Sequence, residues 1–76
     1  MMISVTKDGK YFLGADPEDK TIEQVKERIE LEINADPELR ILIRADADTK
    51  YKDNEKVTIA CAEVGAQDLI YSVYEE

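Results

Sequence analysis

Histidine is absent from this 76-residue chain, and Cys61 is its only cysteine. A zinc site built from cysteine and histidine clusters is therefore excluded. So is an imidazole-activated nucleophile at Ser4, Ser72 or Cys61. One thiol leaves no internal disulfide framework, and between Ala60 and Ala62 it reads as a small buried hydrophobe on a helix. Positive charge is scarce as well: three arginines and seven lysines lie scattered among eighteen carboxylates, for a net charge of −8. No basic stripe exists to release counterions from nucleic acid. The same charge repels an anionic membrane surface and suits a cationic partner, or simple solubility. No apolar run approaches the roughly 20 residues of a membrane-spanning helix, and no signal peptide precedes Ile3.

What is present fits one compact domain over residues 1–76, with 43% hydrophobic and 37% charged residues. The pattern at Met2 to Thr6 puts Ile3 and Val5 on one face of a strand. Asp8-Gly9 predicts a hairpin turn of type I′, with positive φ at both central residues, and Lys10 to Leu13 is the return strand. Gly14, Asp16 and Pro17 then break the ladder. Thr21 and Gln24 fit a capping box. Ile22, Val25, Ile29 and Ile33 form one helical face, and the helix ends near Asn34 to Asp36 because of Pro37. Leu39, Ile41 and Ile43 mark a central strand. A second helix covers about Lys52 to Val64, with Gly65 as its left-handed C′ residue. Leu69 to Tyr74 is a last strand with apolar groups on both faces, one set packing under the helices and the other meeting solvent or a partner.

The order is ββαβαβ, an α+β sandwich of two layers: a mixed four-stranded sheet with both helices on one face. The last strand–helix–strand unit should be a right-handed crossover between parallel strands. "ADPE" occurs twice, at Ala15 and Ala35, and reads as recurring turn chemistry.

The stretch "LIRADADTKYKDNEK", Leu42 to Lys56, holds four carboxylates and four cations behind an apolar run. Asp46, Asp48 and Lys50 fall at positions one, three and five of a calcium loop. Position six would then be Tyr51 instead of glycine, and position twelve Val57 instead of glutamate. A cation also stands at position five, so the calcium reading fails. Ala45 to Asp53 has no glycine to line a phosphate site. No pair of carboxylates is set apart by an apolar pocket, so no catalytic residue, metal or cofactor is expected. The stretch reads as a polar loop after the strand through Ile43, with Asp46 and Asp48 solvating and capping it. Tyr51 is expected to plug the start of the second helix and anchor the loop to the body of the domain.

In that order, "ISVTKDGKYFLG", "ADPELRILIRADADTKY" and "EVGAQDLIYSV" resemble the soluble domain of the ExbD/TolR family. That family opens with a hairpin of the type "VTVTKDGKIYLNG" and continues with a "DP-L-V-IRADKDVPY" segment. The matches are Val5 to Gly9, Asp36-Pro37, Ile43 to Asp46, Tyr51, Val57 and Gly65. Departures are Lys50 where proline is frequent, Lys52 where a small residue is frequent, Thr58 and Cys61 in the second helix, and a "YSVYEE" end without the family's closing turn. The resemblance implies the periplasmic domain of a single-pass inner-membrane protein. Such proteins work with an ExbB- or TolQ-like partner and use the proton motive force to drive a TonB- or TolA-like protein. It also implies that the abrupt start "MMISV" follows a membrane helix that carries the proton-binding aspartate. Family members self-associate, which agrees with partner or dimer contacts at Tyr71, Val73 and Tyr74. Asp46, Tyr51 and Gly65 belong to the family's loop motif. An acidic stand-alone α+β adaptor is the alternative. A carrier or protein modifier would need an attachment serine at a helix start or a terminal diglycine, and has neither.

Overall fold

Two short strands open the chain, β1 (Met2–Val5) and β2 (Tyr11–Leu13). The turn between them differs from the expected type I′. Among the described residues no residue other than glycine has positive φ, and within this turn only Gly9 does, at 79°. Gly9 N–H donates to the Thr6 carbonyl and Thr6 N–H to the Lys10 carbonyl, both at 3.0 Å. Lys10 N–H also donates to the Thr6 hydroxyl. This is a type I turn closed by a left-handed glycine in a bulge, so Asp8 avoids the steric cost of positive φ. The computed structural model describes residues 1–74; Glu75 and Glu76, the close of the divergent "YSVYEE" end, lie outside the described residues.

Helix α1 (Ile22–Ala35) begins at the capping box: Gln24 N–H donates to the Thr21 hydroxyl, and Thr21 N–H donates to Gln24 Oε1. The two "ADPE" segments share one device. Asp16 Oδ1 accepts from Glu18 N–H, and Asp36 Oδ1 accepts from Glu38 N–H. The aspartate satisfies the backbone two residues on, and the proline holds the bend.

Strand β3 (Arg40–Asp46) runs three residues past Ile43. It lies between β1 and β4 (Asp68–Tyr74) and pairs in parallel with both, so Ala45 is matched by Val5 and Val73 and Asp46 by Tyr74. A strand flanked on both sides stays extended until its neighbours end, even where its own sequence turns polar. Helix α2 (Tyr51–Glu63) follows and closes at Gly65, whose φ is 83°. Gly65 N–H donates to Ala62 and Ala66 N–H to Cys61, a Schellman arrangement that satisfies the last carbonyls.

The sheet order is β2-β1-β3-β4, with only the β1–β2 pair antiparallel. Ile3, Val5, Ile41, Ile43 and Ala45 face Val25, Ile29, Ile33, Val57 and Cys61 in one buried core. Both helices therefore pack on the same face, giving the α+β sandwich. No helix of the described residues is long and apolar enough to cross a membrane.

Candidate functional site

Asp46 is 7% exposed, the only buried charged residue among those described. Its Oδ1 accepts from Asp48 N–H at 2.9 Å, and its carbonyl accepts from Thr49 N–H. Thr49 in turn reaches back to the Val5 carbonyl. The carboxylate thus folds the loop from Ala47 to Lys50 against the ends of β1 and β3. An open cleft of about 450 Å³ beside it is lined by Lys7, Asp8, Gly9, Lys50, Lys52 and Asp53. It carries both signs of charge, three lysines and two aspartates.

Tyr51 does not plug the helix start. It is 79% exposed, because the first residue of α2 points away from the sheet. The anchoring role belongs to Tyr11, which is buried in β2 and donates its hydroxyl to the Asp53 carbonyl at 3.0 Å. Burial, and then the nearby Asp53 charge, push the Tyr11 phenol above its ordinary value. Gly9 adds a second point of contact, since a Cβ there would stand 2.9 Å from an Asp53 carboxylate oxygen. The signal for Tyr11 was its place in the alternation: it pairs with Val5 and shares that residue's inward side.

These contacts hold the start of α2 above the β1–β2 side of the sheet. The expectation that one set of β4 side chains packs under the helices is corrected as a result. Leu69, Tyr71 and Val73 lie on the helix side, in register with Ile41, Ile43 and Ala45, yet all three are exposed, Val73 at 60%. Ile70 on the other side is exposed too. Both sides of β4 carry exposed apolar side chains.

Of the three residues singled out on this strand, Tyr71 and Val73 share the helix side. Tyr74 falls on the opposite side, where the Arg44 guanidinium lies over its ring at 5.0 Å, a contact worth about 0.5–1 kcal/mol when exposed. Arg40 and Asp68 pair at 3.1 Å at the other end of the strand. Arg44 and Arg40 thus fasten β4 to β3 and leave its outer edge open. Gly65 lies at the far end of α2 from the loop and serves the helix cap. Cys61 is buried, and desolvation pushes its thiol up to about 11, so it is inert at neutral pH.

An exposed row of unpaired N–H and C=O groups recruits another strand. Here that row runs along the outer edge of β4, a strand of seven residues whose alternate backbone groups are already paired with β3. The chain matches one family model over residues 1–76, that of the biopolymer transport protein ExbD/TolR. No curated protein matches it.

Proposed function

The chain belongs to the ExbD/TolR family of biopolymer transport proteins, and we propose that it is the periplasmic coupling end of a proton-driven inner-membrane complex. In this reading a membrane helix ahead of the domain carries the proton-binding aspartate and works beside an ExbB- or TolQ-like subunit. The domain passes the resulting movement to a TonB- or TolA-like protein. It performs no chemistry of its own; its function is to make and release contacts.

The observation that supports this best is the bare β4 edge. A domain that only had to fold would gain by covering Leu69, Tyr71 and Val73, at about 25 cal/mol for each Å² of apolar surface removed from water. Left open, the edge can take up an extended segment, with backbone hydrogen bonds giving affinity and alternate side chains giving selectivity.

A photo-crosslinking residue in place of Val73, within the intact membrane protein in cells, tests the reading. Adducts should form with other subunits of the complex, and their pattern should change when an uncoupler collapses the proton gradient. Adducts identical with and without the gradient would rule out a coupling role for this edge.

A further inference from the structure

Three of the four strands, β1, β3 and β4, run parallel, and parallel strands ordinarily carry helices on both faces of their sheet. Here α1 and α2 cover one face only. Alternation turns Met2, Ser4, Phe12, Leu42, Arg44 and Ile70 to the other. Met2, Leu42 and Ile70 stand side by side across β1, β3 and β4, and Phe12, Ser4 and Arg44 form the next row. Met2, Phe12 and Leu42 are half-buried and Ile70 is exposed. An apolar row thus crosses the uncovered face.

The charge of this face departs from that of the chain. Only two of its strand positions are acidic, Asp46 and Asp68. Asp46 is turned into its own loop, and Asp68 is held by Arg40. The other carboxylates of the described residues lie on the helices and in the connecting segments. Two of the three arginines, Arg40 and Arg44, stand on this face. Arg44 is exposed and lies over the Tyr74 ring, which offers no oxygen to the guanidinium's donors.

We propose that this face docks an amphipathic helix of a partner protein, with aliphatic side chains on the Met2–Leu42–Ile70 row and carboxylates on Arg44 and Arg40. β1 and β3 are flanked by strands on both sides, so their backbone groups are already paired and offer nothing to an extended segment. The occupant must satisfy its own backbone, as a helix does. Arg40 and Arg44 lie about 13 Å apart along β3, and carboxylates two helical turns apart, about 11 Å, reach both. A guanidinium holds a carboxylate through two parallel bonds, which fixes direction as well as affinity. A second copy stacked on this face would bring the same two arginines to the contact and no free carboxylate to meet them. An anionic lipid surface would meet the repulsion of the whole chain, at −8. A helix flanked by carboxylates meets the arginines directly, and the more distant charges are screened beyond about 8 Å at physiological salt. The face is separate from the outer backbone edge of β4, and its role is independent of coupling at that edge.

Two helical peptides test this against the 76-residue chain, each with leucines along one face, flanked by glutamates in the first and by lysines in the second. In amide chemical-shift titrations the glutamate peptide should move Met2, Leu42, Arg44 and Ile70. The lysine peptide should bind at least about tenfold more weakly. Arg44→Glu should reverse that order. Arg44→Gln, which removes the charge alone, should weaken only the glutamate peptide, and Ile70→Ser should weaken both. Equal affinity for the two peptides overturns the role of the arginines. Shifts confined to the helices, or none at millimolar peptide, overturn the docking face. Phosphatidylglycerol vesicles that move the same amides would assign the face to lipid and overturn the helical partner.

Discussion

The two edges of this sheet are built to opposite rules. β2 is three residues long, and the chain folds back over it: Lys20 N–H donates to the Tyr11 carbonyl at 2.7 Å, in an isolated antiparallel bridge. The segment that returns contains Gly14 and Pro17, and the Asp16 turn holds its bend. β4 is seven residues long, has no lysine, proline or glycine, and carries its one charge at its first residue, Asp68. Protection of an open edge normally comes from shortness, charge, proline or a covering loop. The first edge has three of these devices and the second almost none. Where one chain applies the rule on one side and omits it on the other, the omission points to use.

The contrast is tested most severely across one row of the sheet, where Ile41 in β3 lies beside Leu69 in β4. Ile41 is fully buried and Leu69 is 37% exposed. Ile41→Ala should cost about 2–5 kcal/mol, a large part of the stability of a domain this small. Leu69→Ala should cost less than about 1 kcal/mol. Urea titrations of both variants give the two values directly. Similar losses at the two positions would mean that β4 is covered in solution by something other than the helices.

Next in size is the contact that leaves β4 uncovered. Tyr11→Phe keeps the ring in the core and removes the hydroxyl bond to the Asp53 carbonyl. The expected loss is about 0.5–1.5 kcal/mol, or a Tm lower by about 4–8 °C per kcal/mol in a domain of this size. Hydrogen exchange should quicken in the first turn of α2. A variant with unchanged Tm and unchanged exchange would mean that Tyr11 does not hold α2 above the β1–β2 side.

Which parts of this were legible in the sequence follows the range of the contacts. The capping box at Thr21 and Gln24, the two Asp-Pro turns and the Gly65 cap all close within a few residues, so residue type and spacing carry them. The element order and the ExbD/TolR resemblance were legible for the same reason. The extension of β3 through Ala45 and Asp46 was not, because its cause is the pairing of β1 and β4 on either side of a stretch that reads as polar loop. The turn at Asp8-Gly9 was read with positive φ at both residues, whereas a bulge places the burden on Gly9 alone. The exposure of Tyr51 and the anchoring by Tyr11 depend on a contact between residues 42 positions apart in sequence. The bare helix side of β4 follows from that contact in turn. Periodicity identified an apolar strand but could not say where the helices would sit.

The smallest effect belongs to the protected edge. Asp16 accepts from Glu18 N–H and pairs with Lys20 at 3.1 Å, beside the residue whose backbone closes β2. Those contacts, the backbone bond foremost, hold the Asp16 carboxyl below its ordinary value of 3.8. The folded state thus favours the charged form. The carboxylate's contribution is present at pH values above 3.8 and is lost as pH falls through that value toward the lower folded one. Asp16→Asn keeps an acceptor for Glu18 N–H but gives up the pair with Lys20. Its Tm should sit slightly below that of the parent at neutral pH, and the gap should close in acid and narrow in high salt, because the pair is exposed and screened. A gap that stays constant down to low pH would mean that the charge has no part in closing this edge, and that the backbone bond from Lys20 to Tyr11 does so alone.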